Sequence, residues 1–573
     1  MYLLGARTGL IAASNRTNPN MFPQKILPAA LVAIFQLACA APPAVGNQTQ
    51  LVPTIPPPQA AEPTITLAPA VLTPGAAAAA DDAAFMVRSL TIKGAQAMTP
   101  EELRTIAGFK PGMMTLAMLR TVAARMTSAY HAAGYVLAQA YLPAQDIHDG
   151  AVTIQIQEGR YGKINLRNTS GASDRTVGAL IGGIHPGDPV TIAALEDNLL
   201  LLSDLPGVTV QSTLAPGETT GSADLTLTLT PSAKISGSVD ADNAGNRYTG
   251  PNRVGATVNV NELLGLGDVA SLRVLSSFDG LNYARGAYQI QAGKARIGVA
   301  FSRLNYRLGE EFEALHARGS STDATLFGSY ALVRSRRANL SAQIALDDKR
   351  YHDRAGDTRS DKAVHLITAT VFGDARDDVG HGGSNAALMS VGFGSLNLQS
   401  AEVRATDDNT ARSNGHFAKV DLAASRVQNL TNRFSVFAGV NGQIASKNLD
   451  LSEKIELGGV NGVRAYPEGE GFADSGMIVN VEARYLLPTA MLGLRGQAQA
   501  FGFFDAGTVT INKSAWDDAR NHRTLRGAGF GMRVYDNGNY LVNAIYARRL
   551  GNSPALSAPD RHGRLWLQAV KYF

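Results

Sequence analysis

The chain has 573 residues, too many for one compact soluble domain, so several domains are predicted. Charged residues make up only 17% and the net charge of +4 is evenly mixed, so nothing indicates a nucleic-acid partner. A mean hydropathy of −0.04 excludes a bundle of membrane helices, but it is typical of strands that alternate apolar and polar residues, as in a membrane β-barrel.

An export signal is predicted in residues 1–40, with its start at Met21 rather than Met1. A lysine, a mostly apolar run and the cleavage motif Ala38-Cys39-Ala40 follow Met21 in the order that a signal peptide requires. The apolar run is shorter than the ~20 residues of a membrane anchor. Cleavage after Ala40 removes the single cysteine, so the mature chain is expected to have no disulfide or thiol chemistry.

A folded α+β unit is predicted over residues 85–161, after a proline- and alanine-rich linker over residues 41–84. Its elements follow the order strand, helix, helix, strand, strand. Thr99 and Glu102 have the spacing of a capping box at the start of the first helix. The second helix carries an apolar stripe at spacings of three and four, formed by Leu116, Leu119, Ala123, Met126 and Tyr130. Residues 162–232 repeat this plan.

Residues 233–573 are predicted to form strands throughout, because helical periods largely disappear there. The alternation is clearest in residues 479–485, where one face is apolar and the other carries Asn480, Glu482 and Arg484. Alternation alone fits a soluble sandwich and a membrane barrel equally well. Sixteen spanning strands of ~10 residues would use about half of this region.

The densest glycine stretch is residues 458–476, which hold six glycines and a single arginine, Arg464. Such a composition has no amphipathic period and predicts a long loop that folds back into a tight space. Val463-Arg464-Ala465-Tyr466 resembles the VRG(Y/F) motif of the outer-membrane barrels that insert or secrete other proteins, and the flanking residues resemble the two-partner secretion branch best. Ala465 stands where the motif has glycine, a departure that bears on the backbone conformation of the tip.

The same resemblance extends to a second motif. Phe503-x-Asp505-x-Gly507 matches the F-x-D-x-G motif of this superfamily. Successive side chains of a strand point to opposite faces, so Asp505 shares its face with Gln497 and Gln499. The resemblance implies that Asp505 lies on the inner barrel wall and pairs with Arg464 of the returning loop, as a latch.

Two further features resemble the family. Residues 134–159 resemble the first POTRA domain of two-partner transporters, and these domains can take up an extended cargo segment at a sheet edge; residues 145–157 are the predicted capture region. The terminal Phe573 resembles the signal read by the barrel-assembly machinery, although Lys571 replaces the usual aromatic residue. Together with the export signal and the glycine motif, Phe573 favours the membrane barrel.

The resemblance covers about residues 85–573 and implies a mostly β protein: two periplasmic α+β POTRA domains (85–161 and 162–232) followed by a sixteen-stranded antiparallel transmembrane β-barrel (233–573). The expected function is outer-membrane transport of an unfolded exoprotein, such as a haemolysin, adhesin or contact-dependent toxin. Outer-membrane lipid and, during biogenesis, the barrel-assembly machinery and periplasmic chaperones are the other expected partners. An N-terminal plug helix, which family members often carry, has only a poor candidate in residues 41–84.

No enzymatic activity and no cofactor are expected, because the ten histidines are scattered and no metalloprotease, phosphate-binding or nucleophile motif occurs. Two alternatives remain at this stage. An assembly factor that inserts other barrels usually carries three or more POTRA units, whereas two are predicted here. A diffusion porin needs neither POTRA domains nor a returning loop.

Overall fold

The computed structural model describes residues 64–67, 83–488 and 495–573, which all belong to one unit, Pro43–Phe573. The predicted signal peptide (1–40) and most of the predicted linker, with the plug-helix candidate, lie outside the described residues. None of the helices in these ranges combines the length and the apolar character that a membrane crossing needs.

The first α+β unit has the predicted order of elements, with one added strand pair. Its three-stranded sheet has the order β3-β6-β5, and β2 pairs with β4. After β1 (Thr64–Leu67), the elements are β2 Phe85–Val87, β3 Ser89–Lys93, α1 Pro100–Ala107, β4 Gly112–Met114, α2 Leu116–Ala132, β5 Gln139–Tyr141 and β6 Ala151–Gln157.

Local sequence signals explain both helices of this unit. The capping box is present: Thr99 Oγ1 accepts the Glu102 backbone N–H at 3.3 Å, and Glu102 Oε2 accepts that of Thr99 at 2.9 Å. Leu119, Met126 and Tyr130 are fully buried against the sheet, so the apolar stripe of α2 forms the core of the unit.

The second α+β unit contains β7 Arg160–Asn168, α3 Asp174–Ile181, α4 Ile192–Ser203, β8 Val208–Pro216 and β9 Ser222–Pro231. Its sheet has the order β1-β8-β9-β7, so β1 covers the outer side of β8 with parallel pairing.

The predicted capture region, residues 145–157, is wrong as a sheet edge. Its strand, β6, lies between β3, which pairs with residues 151–155, and β5, which pairs with residues 155–157. On the β5 side the Gln145 side chain exchanges hydrogen bonds with the Thr153 backbone, both at 2.7 Å, and so covers the edge there. A period of two shows which side chains are buried, but it does not distinguish a central strand from an outer one.

The predicted sixteen-stranded antiparallel barrel is confirmed, and it closes where β10 pairs with β27. All strands from residue 235 on, of which β21 and β22 form a separate pair, are β10 Ile235–Asp242, β11 Arg253–Asn261, β12 Val269–Ser276, β13 Leu281–Ala292, β14 Ala295–Arg307, β15 Arg318–Arg334, β16 Ala338–Ala355, β17 Thr358–Asp377, β18 Gly383–Leu398, β19 Gly415–Asn429, β20 Phe434–Ala445, β21 Ile455–Glu456, β22 Phe472–Ala473, β23 Ser475–Leu487, β24 Gln497–Thr510, β25 His522–Asp536, β26 Tyr540–Arg549 and β27 Gly563–Tyr572. The loops carry α5 Ala401–Asn409 and the 3-10 turns Arg247–Thr249, Glu310–Leu315 and Leu451–Glu453.

The barrel wall presents apolar side chains outward. On β14, Ile297, Val299 and Phe301 are exposed, whereas Ala300 and Ser302 face inward and are buried. This is the alternation of a strand between lipid and a filled lumen. Connections at the end where the α+β units join are short, and the longest described connection, residues 446–474, lies at the other end.

Candidate functional site

Residues 446–474, here called the return loop, fold back into the barrel. Leu457, Val463 and Tyr466 of this loop have no exposed surface, and they pack with Phe501 of β24 and Trp566 of β27 in one apolar cluster. The sequence prediction of a loop that folds into a tight space agrees with this placement.

Two wall glycines make room for the loop. A Cβ atom on Gly507 would lie 2.5 Å from Leu457 Cδ1, and one on Gly527 would lie 2.5 Å from Ala465 Cβ. A side chain at Gly527 would therefore displace the loop backbone at Ala465, whereas one at Gly507 would displace the flexible end of the Leu457 side chain. Ala465 itself has no left-handed backbone conformation, so the tip does not require glycine there.

Arg464 and Asp505 form a forked ion pair. Arg464 Nη2 donates to Asp505 Oδ1 at 2.7 Å and Arg464 Nε donates to Oδ2 at 2.9 Å. The backbone N–H of Arg464 also donates to Oδ2, at 3.1 Å. Asp505 is completely buried, so two parallel hydrogen bonds fix both the position and the orientation of the guanidinium.

A second carboxylate completes the site, and the sequence prediction missed it. Arg464 Nη1 donates to Glu482 Oε1 at 2.6 Å, and Arg484 Nη2 lies 2.7 Å from Glu482 Oε2. Asn480 Nδ2 donates to Asp505 Oδ1 at 2.8 Å and to the Gly462 carbonyl at 3.0 Å. Two arginines thus face two carboxylates, which offsets the cost of burying each charge.

Asn480, Glu482 and Arg484 are the polar face of β23 that was visible in the sequence. Alternation along one strand indicates that these groups face inward, but it does not indicate which of them reach a loop folded across the lumen. The available signal was the unusual concentration of three strongly polar groups on one strand face.

Aromatic residues fix the remaining atoms of the tip. The Phe503 ring centroid lies 3.7 Å from the Arg464 guanidinium carbon, a cation–π contact. Trp566 Nε1 donates to the Arg464 carbonyl at 2.7 Å, and the Tyr466 hydroxyl donates to the Ser553 carbonyl at 2.9 Å. The structure thus brings Val463, Arg464, Ala465 and Tyr466 of the loop together with Phe503, Asp505 and Gly507 of the wall.

Phe573 lies apart from this cluster, at the barrel closure. Its backbone exchanges hydrogen bonds with Gly237 of β10, at 2.9 and 3.1 Å. Its ring is 59% exposed on the outer surface. The last residue thus extends the pairing that closes the barrel.

Residues 221–534 match the family described as haemolysin secretion/activation protein ShlB/FhaC/HecB, and residues 85–159 match the ShlB-type POTRA domain. The chain belongs to the haemolysin secretion/activation protein family. It is thereby an outer-membrane transporter of two-partner secretion with a periplasmic POTRA region.

Curated relatives span most of the chain. The heme/hemopexin transporter protein HuxB of Haemophilus influenzae (strain 86-028NP) is 28% identical over 85% of this chain and 86% of HuxB. The outer membrane transporter CdiB of Escherichia coli O6:K15:H31 (strain 536 / UPEC) is 23% identical over 88% of this chain and 86% of CdiB.

Solved structures share the fold. CdiB from Escherichia coli superposes with a TM-score of 0.68 at 21% identity, covering 97% of this chain and 100% of CdiB. CdiB from Acinetobacter baumannii gives a TM-score of 0.59 at 19% identity, covering 97% and 100%.

Proposed function

We propose that this family member secretes an unfolded exoprotein through its barrel and that the return loop is the latch that closes the lumen at rest. The observation that carries the latch is the four-charge cluster of Arg464, Asp505 and Glu482, which are buried, and Arg484, whose side chain is 15% exposed. A cluster with balanced charge contributes little net stability, but losing one member leaves a buried charge unpaired, at a cost of about 3–5 kcal/mol. Such a contact suits a loop that moves between two positions better than a loop that is permanently fixed.

The proposed route begins at the periplasmic α+β units, residues 85–161 and 162–232, which we assign as two POTRA domains. The exoprotein would add as an extended strand to an outer sheet edge, through main-chain hydrogen bonds that demand little of its sequence. Among the outer strands of the described sheets, β7 has nine residues, whereas β3 has five, β1 has four and β5 has three. Residues 187–189 bond the outer side of β7 at Arg160 and Tyr161, and the rest of the strand continues beyond them. We therefore place capture on β7.

The arrangement of the site favours a role in transport over a role in catalysis. The polar groups at the loop tip are engaged with one another, and we propose that translocation needs no enzymatic step, no cofactor and no nucleic acid. In this proposal, folding of the exoprotein outside the cell supplies the driving force. The name of HuxB supports a cargo that serves heme or hemopexin use, and haemolysin, adhesin and contact-dependent toxin cargoes are the other candidates.

Capture is tested by photo-crosslinking from β7. Crosslinkers at Lys163 and Asn165 are expected to trap the exoprotein during secretion, and crosslinkers at Thr153 and Gln155 of the central strand β6 serve as the control. Crosslinking from β6 at an equal or higher yield would contradict capture at the β7 edge.

The latch is tested by secretion of the exoprotein per unit of folded barrel. Asp505→Asn keeps the size of the side chain but removes its charge, and it is expected to reduce secretion at least about tenfold. Arg350→Ala removes an arginine that is 63% exposed and pairs with Asp348 on its own strand, so it serves as the control. Normal secretion by Asp505→Asn would overturn the latch.

A further inference from the structure

The stem of the return loop, residues 450–454, carries a second buried ion cluster. The Glu453 side chain is only 1% exposed, and its Oε1 accepts a hydrogen bond from Lys349 Nζ at 2.9 Å. Its Oε2 lies 3.1 Å from Lys419 Nζ. Asp450 accepts from Lys362 Nζ with both oxygens, each at 2.9 Å. Lysines on β16, β17 and β19 thus meet at two carboxylates of the stem.

Against the effect of burial, the lysines of this cluster lower the pKa of both stem carboxyl groups. Burial opposes the charge of Glu453, but the ammonium groups of Lys349 and Lys419 outweigh it and lower the pKa of Glu453. The pKa of Asp450 is lowered in the same way, against its burial, by Lys362. Both carboxylates are therefore charged at neutral pH.

Lys454, the residue after Glu453, binds partners other than those of the stem cluster. Its Nζ lies 3.0 Å from Asp474 Oδ1 and donates to the Ile511 carbonyl at 2.8 Å. It thereby joins the stem to the end of the same loop. Because the Lys454 side chain is buried, a protease can reach the Lys454–Ile455 bond only after the stem opens.

The stem cluster and the tip cluster use different walls. The tip binds residues of β23, β24 and β27. The carboxylates of the stem bind lysines of β16, β17 and β19, and the Glu453 carbonyl accepts from Gln443 Nε2 of β20 at 3.0 Å. The two clusters share no side chain in these contacts. Contacts without shared partners are expected to break independently.

We infer that Asp450 and Glu453 are positioning residues that anchor the stem to wall strands other than those that hold the latch, so that the return loop swings about residues 450–454 when its tip is released. This inference rests on the proposed release of the tip. A retained stem keeps the loop attached to the lumen wall, and the tip can return to Asp505 once the exoprotein has passed. An unanchored loop would have to find that position again from a much larger set of conformations.

Limited trypsin digestion of intact outer membranes containing the full chain tests the two anchors separately. Trypsin cuts after Lys454 in the stem and after Arg464 at the tip, and the loop fragments can be quantified by mass spectrometry. Asp505→Asn is expected to raise cleavage after Arg464 about tenfold and to leave cleavage after Lys454 unchanged. Glu453→Gln is expected to do the reverse.

The control is Glu311→Gln, which removes a carboxylate that is 60% exposed and pairs with Arg247 in another loop. It should change neither cleavage rate. Heat-modifiable migration on a gel verifies that each variant has a folded barrel. Lys349→Gln removes the other side of the stem pair and replaces Glu453→Gln if that variant does not reach the membrane.

A parallel rise at both bonds in either variant would show that the loop opens as one unit and would overturn the inference. So would unchanged cleavage after Lys454 in a folded Glu453→Gln or Lys349→Gln barrel. Failure of the proposed latch has a different signature, namely normal secretion by Asp505→Asn whatever the digestion pattern. The two results are therefore distinguishable.

Discussion

Gly527 lies opposite Ala465 with no space between them for another carbon atom. A Cβ on Gly527 would sit 2.5 Å from Ala465 Cβ, closer than side-chain carbons approach in proteins. The return loop carries alanine where the family motif has glycine, and the facing position of β25 is itself glycine. The wall and the loop therefore share one limited volume at the tip.

Enlarging Gly527 is expected to expel the tip. Gly527→Val should raise trypsin cleavage after Arg464 and lower secretion, because the loop cannot seat without a backbone shift. Gly527→Ala should do so more weakly, and the double change Gly527→Ala with Ala465→Gly should restore protection.

The control is Gly286→Ala on β13, where an added Cβ meets no atom within 4 Å. It should leave cleavage and secretion unchanged. Absence of rescue by the double change would indicate that the crowding between positions 465 and 527 does not set the position of the loop.

The barrel and the Arg464–Asp505 contact could be predicted from the sequence for different reasons. The alternation of side chains along a strand is a local property, so residues 479–485 alone are enough to predict a strand of the barrel wall. Arg464 and Asp505 lie 41 residues apart in the sequence. Only the resemblance of both motifs to the same superfamily indicated that the two residues form a pair. The alternation of side chains along the strand predicts that Asp505 faces inward, but it does not predict the distance between Asp505 and Arg464.

The rest of the site could not be predicted because it depends on which strands face each other across a filled lumen. Lys349, Lys362 and Lys419 stand on three strands, and nothing local distinguishes them from other inward lysines. Glu482 was visible as an inward group but not as a partner of Arg464. The position of β6 within its sheet likewise depends on pairing, which alternation does not encode.

Removing either side of the latch is expected to have the same effect as removing both. Arg464→Ala and Asp505→Ala should each reduce secretion sharply while the barrel still folds, since closed strand hydrogen bonding supplies most of its stability. The double variant should be no worse than the worse single variant, because both act through one contact. Secretion per folded barrel is the measurement, and a double effect equal to the sum of the single effects would show that the contact does not operate.

Arg464→Lys separates charge from geometry. An ammonium group keeps the positive charge but cannot supply the planar fork to Asp505 and reach Glu482 at the same time. Secretion should therefore stay close to the level of Arg464→Ala. Glu482→Gln, which leaves the Asp505 fork in place, should be milder than either, and full activity of Arg464→Lys would reduce the latch to a simple charge attraction.

The return loop also contains a pH-sensitive pair of carboxyl groups. Burial raises the pKa of Glu468 to about 7, although the Val460 N–H and Arg253 favour its charged form. Burial and the nearby charge of Glu468 raise the pKa of Glu456 well above its ordinary value. Asp242 adds a further negative charge close to Glu468.

A raised carboxyl pKa means that the folded loop binds more protons than the open loop. The contribution of Glu468 to loop stability is thus complete below its ordinary pKa of 4.5 and is lost as pH rises through about 7. Trypsin cleavage after Arg464, normalised to cleavage after the exposed Arg520, should increase about tenfold from pH 6 to pH 8. Glu468→Gln should flatten this dependence, and an unchanged pH profile in that variant would assign the effect to another group.

The last prediction concerns the junction between the second α+β unit and the barrel. Asp204, at the end of α4, accepts from Arg334 Nε and Nη2 of β15, both at 2.8 Å, and Asp197 of α4 lies 2.7 Å from Lys294 Nζ. These partly exposed pairs contribute roughly 0–1 kcal/mol each, so they orient the unit without fixing it permanently. Salt should weaken them.

Asp204→Asn combined with Asp197→Asn is therefore expected to broaden the distance distribution between a spin label on α3 and one on the barrel, and to lower secretion several-fold. The measurement is pulsed electron paramagnetic resonance on folded barrels, at low and high salt. Asp188→Asn is the control, because Asp188 lies in the same unit but pairs with His185 inside it. If the distribution at low salt is as narrow in the double variant as in the parent chain, the apolar and backbone contacts, such as the Ser173 N–H to Gly265 carbonyl bond at 2.8 Å, hold the unit by themselves. In the expected case the parent distribution broadens with salt more than the variant distribution does, because among the described ion pairs at this junction the variant keeps only the Arg336–Glu196 pair, at 3.6 Å, for salt to screen.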